Sequence, residues 1–160
     1  MKKIICAIAL AVMTAVGASA QSRDMAVGIN LGVAPVLEKG IDLNNFGLGA
    51  KFQYNITANV RLEADVDYWF KSKGLGVFDI MANAHYLFNI GDNFRIYPIV
   101  GIGYAYLHSS LDGLNRFAFN LGAGAEYDIT NHIAACLELK YQYMSDFQRL
   151  PISVGVAYKF

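Results

Sequence analysis

The chain has 160 residues, of which 55% are hydrophobic and 13% aromatic, and its 13 basic residues balance its 13 acidic ones. This balance gives no strong field that would attract a nucleic acid, so we expect no nucleic-acid partner. After the first twenty residues, no stretch reaches the roughly 18 consecutive apolar residues that a membrane-spanning helix needs. The only cysteine beyond that point is Cys136, which excludes an intrachain disulfide there.

The N-terminus has the pattern of a secretory signal peptide. Lys2 and Lys3 precede an apolar run over residues 4–16, and a small-x-small cleavage pattern follows. The run is short for a membrane helix. We predict a signal peptide over residues 1–20 and a single domain over residues 21–160. Loss of the two lysines would leave 11 basic residues against 13 acidic ones, a net charge near −2.

Eight segments of this domain alternate apolar residues with small or polar ones, which is typical of β-strands. They lie at residues 25–34, 46–56, 60–70, 77–88, 94–107, 117–129, 133–144 and 150–160. Short connections carrying Gly, Asn or Asp separate them, as hairpins require. A tilted strand needs roughly 9–11 residues to cross a bilayer, and these segments match or exceed that length. Soluble strands average about 5–6 residues, so the lengths favour a membrane.

The charged residues of these segments share one strand face. In the third segment, Arg61 and Glu63 alternate with Leu62 and Ala64, and no segment carries a charge on its apolar face. Lipid would require this, because Arg or Lys at the bilayer midplane costs roughly 2–4 kcal/mol. Inside a narrow barrel, unpaired charges are costly. We therefore predict an ionic network in the lumen, formed by Lys51, Arg61, Glu63, Asp65, Asp67, Asp79, Arg95, Glu126, Asp128, Glu138 and Lys140, with His85 and Lys159 on the same face.

The aromatic residues follow the apolar face. Eighteen of the 21 share its parity, and the exceptions are Trp69, Tyr97 and Phe147. They cluster near segment ends, so we predict two membrane girdles. The predicted girdle residues are Phe52, Tyr54, Tyr68, Phe70, Tyr86, Phe88, Tyr104, Tyr106, Tyr141 and Tyr143.

The last segment carries the most distinctive pattern. Large apolar residues recur at Ile152, Val154, Val156, Tyr158 and Phe160, and the chain stops on that aromatic ring. With the leader and eight alternating segments, the chain resembles the small outer-membrane β-barrels of the OmpA/OmpX type. The resemblance implies an all-β fold, an eight-stranded antiparallel up-and-down transmembrane β-barrel with an interior filled by side chains.

The resemblance also implies a place and partners. The protein would lie in the outer membrane of a Gram-negative cell envelope, as a monomer among lipopolysaccharide and phospholipid. The last strand, with Tyr158 and Phe160, would be recognised by the outer-membrane assembly machinery. Both termini and three tight turns, near Thr57, Gly91 and Asn131, would face the periplasm. The four remaining loops would face outward.

Three functions fit these features. The first is an integral barrel with a structural or surface-interaction role and a polar lumen filled by side chains. The second is a small-conductance, porin-like ion or solute channel lined by the same charges. The third is a soluble lipocalin-like binding barrel, whose apolar face would point inward.

The chemistry-bearing residues are dispersed. His85 has the parity of the lumen, His108 falls in a predicted outer loop and His132 in a predicted turn. A metal site needs several ligands at short spacing, which this pattern lacks. No Ser and His share a strand face near an acid. We therefore expect no catalytic residues, no metal and no cofactor, and we expect that the protein is not an enzyme.

Two local features complete the expectations. Pro98 falls within the fifth segment, where a closed barrel has no free edge for a residue without an N–H. Either a β-bulge or a late strand start near Tyr97 would accommodate it. The predicted outer loops, at residues 35–45, 71–76, 108–116 and 145–149, are short. We therefore expect no strand extensions that protrude beyond the membrane.

Overall fold

A computed structural model describes residues 25–37, 44–72, 75–108, 113–145 and 147–160. The predicted signal peptide and parts of all four predicted outer loops lie outside these residues. In the described ranges we find no helix long and apolar enough to cross a membrane. The strands are β1 (Met25–Pro35), β2 (Asn44–Asn55), β3 (Val60–Ser72), β4 (Leu75–Tyr86), β5 (Phe88–Asn89), β6 (Phe94–His108), β7 (Gly113–Asp128), β8 (Ile133–Met144), β9 (Phe147–Arg149) and β10 (Ile152–Lys159).

These segments close into an eight-stranded barrel. β4 and β5 form one barrel strand interrupted at Leu87, and β9 and β10 form another, interrupted at Leu150 and Pro151. All neighbours are antiparallel, and β1 pairs with both β2 and β10, so the sheet has no free end. This confirms the predicted up-and-down barrel and the approximate place of all eight strands.

One end of the barrel carries Met25, Phe160 and three tight turns at residues 56–59, 90–93 and 129–132, and we name it the turn end. Two of these turns are built alike. The Thr57 Oγ1 accepts hydrogen bonds from the N–H groups of residues 59 and 60, and Thr130 Oγ1 accepts those of residues 132 and 133. We name the opposite end the loop end.

The alternation of the sequence separates two environments. The 18 aromatic residues of the apolar parity point outward: 14 are exposed, and Phe52, Phe78, Tyr141 and Phe160 are partly buried. Trp69, Tyr97 and Phe147, which break the parity, point into the lumen and are buried. Because the apolar face is outside and the charged face inside, the lipocalin-like alternative is wrong.

Pro98 is accommodated without either of the predicted devices. β6 starts at Phe94, before the proline, and pairs continuously with β7 through Pro98 and Ala123. On the other side of β6, the pairing with β4 ends at His85 and Ile99, and the pairing with β5 begins at Phe88 and Ile96 in the same register. There is therefore no bulge. The proline has no N–H to donate, and its partner strand is simply interrupted opposite it.

The strands extend into all four predicted outer loops, and most of all into those at residues 108–116 and 145–149. β6 and β7 pair as far as His108 and Gly113, so residues at both edges of the predicted loop 108–116 are strand. The pairing of β7 with β8 begins only at Ala118, and this hairpin therefore extends beyond β8 at the loop end. The strand continues through polar residues because β6 supplies a full row of backbone partners. Likewise, residues 147–149 of the predicted loop 145–149 form β9.

Candidate functional site in the barrel lumen

The lumen is lined mainly by charged and amide side chains. Of the eleven residues predicted for it, nine are buried, and Arg95 and Asp128 near the turn end are partly buried. Because successive side chains of a strand point to opposite faces, the strand parity alone brings these residues together. Nine of them form two connected groups at different heights along the barrel axis. Asp67 lies beside the first group, and Asp79 pairs with Arg149 at the loop end.

The first group, which we name the middle network, consists of Lys51, Glu63, Asp65, Glu138 and Lys140. The Lys51 Nζ lies 2.7 Å from Glu138 Oε1 and 3.7 Å from Glu63 Oε2. The Lys140 Nζ lies 2.8 Å from Asp65 Oδ2, 3.1 Å from Glu138 Oε2 and 3.7 Å from Glu63 Oε1. Each ammonium group therefore contacts at least two carboxylates, and each carboxylate except that of Asp65 contacts both ammonium groups.

Amide side chains add hydrogen bonds to this network. Gln53 donates to Glu63 Oε2 at 2.8 Å, and Asn83 donates to Asp65 Oδ2 at 2.8 Å. The adjacent carboxylate of Asp67 accepts a hydrogen bond of 3.0 Å from Asn30. These charges are buried. A buried ion pair is stable only if its remaining polar atoms also find hydrogen-bond partners. The neighbouring strands thus supply several such partners, while Asp65 Oδ1 and Gln53 Oε1 are buried without a hydrogen-bond partner among the described residues.

The second group, the turn-end network, consists of Arg61, Arg95, Glu126, Asp128 and Lys159. Glu126 is its centre: its carboxylate lies 2.6 Å from Arg61 Nη1, 2.6 Å from Arg95 Nη2 and 3.1 Å from Lys159 Nζ. Asp128 lies 2.5 Å from Arg95 Nη2 and also pairs with Lys159. The side chains of Arg95 and Asp128 are 20% and 22% exposed, so this network reaches solvent at the turn end.

Tyr97 lies between the two networks. Its hydroxyl donates to Glu138 Oε1 at 3.0 Å, while the Arg61 guanidinium lies 6.0 Å from the centre of its ring. The ring stacks on His85 at 4.8 Å and is part of a buried apolar cluster with Leu87 and Ile99. We name Leu87, Tyr97 and Ile99 the inner cluster.

Two of the three aromatic residues of the lumen, Trp69 and Tyr97, lie opposite a glycine. Gly124 pairs with Tyr97 and Gly47 pairs with Trp69 on the neighbouring strand. A β-carbon on Gly124 would come within 2.4 Å of the Tyr97 ring, and one on Gly47 within 2.3 Å of the Trp69 ring. The two rings therefore occupy space that only a glycine leaves free.

The loop end of the lumen is closed by a mostly apolar group that we name the loop-end plug. Its buried members are Ala34, Trp69, Val77, Met81, Ala105, Ala118, Met144 and Phe147. Arg149 binds this group from β9: it pairs with Asp79, and its guanidinium carbon lies 4.9 Å from the centre of the Trp69 ring. The Trp69 Nε1 donates to Asp79 at 2.9 Å.

Arg149 was missed by the sequence reasoning, which assigned it to an outer loop. The structure buries it at 1% exposure. The signal was available: Phe147, Arg149 and Ser153 share the inward parity of the last barrel strand. The predicted strand started only at Leu150, because residues 145–149 were assigned to an outer loop.

The outer surface carries the predicted girdle residues. Eight of the ten are exposed, and Phe52 and Tyr141 are partly buried. Rings pack along the surface: near the loop end, the ring centres of Phe46 and Phe70 lie 6.1 Å apart. At the turn end, Tyr158 is exposed and stacks on His132 at 5.9 Å.

The histidines stay apart in the fold. His85 is in the lumen, with its Nε2 3.6 Å from Glu63 Oε1, whereas His108 ends β6 and His132 lies in a turn. Among the described residues, no group of three or more His, Cys, Asp or Glu side chains is arranged to hold a metal ion.

Several solved structures have a similar fold. Neisserial surface protein A is 17% identical, with a TM-score of 0.72 over 87% of this chain and 98% of that chain. Ail, the attachment invasion locus protein of Yersinia pestis, is 17% identical, with a TM-score of 0.63 over 86% and 98%. The N-terminal β-barrel domain of Pseudomonas aeruginosa OprF is 20% identical, with a TM-score of 0.63 over 84% and 97%. At such identities these likenesses concern the fold alone.

The sequence itself supplies the family. No curated protein matches the chain. However, a family model described as "Outer membrane protein beta-barrel domain" matches residues 4–160, almost the whole sequence. Its match agrees with the closed barrel, the apolar outer face and the charged lumen. The chain therefore belongs to the family of outer-membrane β-barrel domains.

Proposed function

We propose that the protein is a structural, non-enzymatic barrel of the outer membrane whose lumen does not conduct. The observation that carries this proposal is the succession of three obstructions along the lumen: the loop-end plug, the middle network and the inner cluster. An eight-stranded barrel has an interior just wide enough for side chains. Here the side chains are also bound to one another from wall to wall, as Lys51 on β2 is to Glu138 on β8.

The targeting of the protein is part of the proposal. Residues 1–20 would direct the chain across the inner membrane, and Tyr158 and Phe160 on the last strand would engage the assembly machinery. The turn end would face the periplasm and the loop end the outside. The apolar outer face would contact lipopolysaccharide and phospholipid, and the barrel would act as a monomer. A surface-interaction role would use the loop end, where the β6–β7 hairpin extends beyond β8.

A small-conductance channel is the second candidate. The observation that favours it is the turn-end network, whose charges reach solvent at the mouth of the barrel. If the plug and the inner cluster moved aside, the charged walls of the lumen would offer an ion path. The two candidates differ in what a bilayer recording would show.

Planar-bilayer recording of the purified barrel tests the proposal. We expect no unitary current steps from the wild type, and none from Trp69→Ala alone, because the inner cluster still closes the lumen. The triple variant Trp69→Ala/Tyr97→Ala/Glu138→Ala removes the largest ring of the plug, the ring of the inner cluster and the carboxylate that binds both ammonium groups of the middle network, and it should produce small steps. The control is Phe70→Ala/Tyr97→Ala/Glu138→Ala, in which the ring lost next to Trp69 comes from the outer surface. Reproducible steps from the wild type that disappear in Glu63→Gln would favour the channel instead.

A further inference from the structure

We propose that the outer wall of the barrel has a built site for one acyl chain of a phospholipid, in a groove centred on β7. This inference deepens the lipid contact of the proposed function and rests on its orientation of the barrel. The site is distinct from the lumen, and nothing in the ionic networks contributes to it.

The groove has a floor of small residues and walls of large ones. Along the outward face of β7, the large residues Leu121 and Tyr127 enclose two alanines, Ala123 and Ala125. The band of large outward side chains is therefore interrupted for two successive positions. The resulting groove has a volume of about 450 Å³, and its lining includes Phe88, Pro98, Ala123, Ala125, Leu137 and Leu139.

The groove coincides with the interruption of the barrel wall. Pro98 pairs with Ala123, and on its other side the ladder is broken at Leu87. Behind the floor, Gly124 lets the Tyr97 ring fill the wall from the lumen side. The wall is thus thinned where the proline and the glycine lie side by side, and its outer surface recedes between Phe88 and Leu137.

The chemistry of the lining defines the occupant. The side chains that form the floor and the walls are hydrocarbon, so a polar ligand or an ordered water would find no side-chain partners. The groove is continuous with the apolar outer face, which in an outer-membrane barrel contacts lipid. A groove left empty would deprive its lining of contact atoms on one side. A flexible hydrocarbon chain supplies those atoms.

The position of the groove along the barrel axis determines which lipid can reach it. Ala125 pairs with Ile96, and Phe94 and Tyr127 pair immediately beyond it at the turn end. In the proposed orientation this half of the wall faces the periplasmic leaflet, which is the phospholipid leaflet of an outer membrane that carries lipopolysaccharide outside. We therefore commit to a phospholipid chain, rather than a lipopolysaccharide chain or a second copy of the protein.

Photocrosslinking tests the site. The barrel is folded into vesicles of phosphatidylethanolamine and phosphatidylglycerol that contain a phosphatidylethanolamine with a photoreactive group on one acyl chain. After irradiation, peptide mass spectrometry locates the crosslinked residues. We expect crosslinks to concentrate on the groove lining, above all on Leu137 and Leu139, relative to equally exposed residues such as Leu48 and Val154.

Filling the groove should abolish this preference. Ala123→Phe should reduce the crosslink yield at Leu137 and Leu139 several-fold, and Ala125→Leu serves if the larger ring prevents folding. The matched control is Ala50→Phe, an exposed outward alanine on β2 at a corresponding distance from the turn end. Uniform crosslinking around the wild-type barrel would overturn the proposal, as would an unchanged yield in Ala123→Phe.

Other occupants would give distinct results. A dimer in detergent solution that Ala123→Phe converts to a monomer would show that a second copy of the chain, rather than a phospholipid, occupies the groove. Stronger labelling by a photoreactive lipopolysaccharide than by the phospholipid would reverse the proposed leaflet. A failure of this inference would leave the recording experiment unaffected, because conductance depends on the lumen and crosslinking on the outer wall.

Discussion

Both ionic networks of the lumen pair basic side chains with carboxylates, and they differ in their access to water. In the middle network the side chains of Glu63, Asp65 and Glu138 are at most 1% exposed, and Lys140 is 6% exposed. In the turn-end network Asp128 is 22% exposed and Lys159 10%. The stability that an ion pair contributes depends on how fully it is desolvated. Removing one charge should therefore change the free energy of unfolding by different amounts in the two networks.

The two networks also differ in which strands they connect. The middle network connects β2, β3 and β8 across the lumen, whereas the centre of the turn-end network, Glu126, pairs with residues from three strands close to their ends. The pairing at strand ends can open locally while the rest of the barrel stays folded, whereas the middle of a closed barrel cannot open in this way. The middle network should therefore contribute to the global stability of the barrel and the turn-end network to its local order at the mouth.

The largest effect is expected from Lys140→Met, which removes one of the two ammonium groups of the middle network at nearly constant volume. Glu63 and Glu138 would then share Lys51, while Asp65 would lose the only ammonium group that it contacts in this network. An uncompensated buried charge costs about 3–5 kcal/mol. Urea unfolding in phospholipid vesicles, followed by the fluorescence of the single tryptophan, Trp69, measures the free energy of unfolding. A loss no larger than that of an exposed ion pair would show that water reaches this network.

A smaller effect is expected from Gly124→Ala, which acts on the residue between the networks. The new β-carbon would lie 2.4 Å from the Tyr97 ring, which must move away from Glu138 and Arg61. Such overpacking typically costs about 1–3 kcal/mol. The control is Gly91→Ala in a turn, where no atom lies within 4 Å of the added carbon, and the same unfolding measurement should show little change. Equal effects at the two glycines would contradict a fixed position for the Tyr97 ring.

The smallest effect is expected from Lys159→Met at the turn end. Arg61 and Arg95 still neutralise Glu126 in this variant, and the partly exposed pair with Asp128 contributes about 0.2–1 kcal/mol, as surface pairs do. Raising the salt to about 1 M should shrink this difference, because the screening length falls to about 3 Å. The loss in Lys140→Met should persist at the same salt. If both losses vanished together, the two networks would be equally solvated.

The sequence predicted the barrel well because each strand separates two media. Because the alternation has a period of two, it places Glu63 inside and Leu62 outside, independently of which strands lie beside them. Strand lengths and turn residues then fix the order of an up-and-down barrel. The same logic placed eleven charged residues in the lumen by parity alone.

The pairing within the lumen was beyond sequence reasoning. Lys51 meets Glu138, 87 residues away, because the stagger of the strands brings them to one height. Parity gives the face of a residue but not its height relative to a distant strand. The division into two networks, and the position of Tyr97 between them, depend on that stagger.

Other misses arose where two local signals conflict. Residues 145–149 join two alternating segments and were assigned to an outer loop, although the parity of Arg149 pointed inward. Pro98 suggested a shift of register, whereas the partner strand is merely interrupted. The off-parity rings of Trp69 and Tyr97 could have been matched with Gly47 and Gly124, since a large ring in a narrow lumen needs an empty place opposite.

The strict alternation of inward and outward residues constrains how such a chain can change in evolution. A single-residue insertion or deletion within a strand would turn every residue beyond it to the other face, exposing Glu138 or Lys140 to hydrocarbon. Length changes inside the wall are therefore tolerable only in pairs, whereas the connections at the loop end can vary freely. Related barrels should accordingly differ in loop length by any number, and in strand length by even numbers.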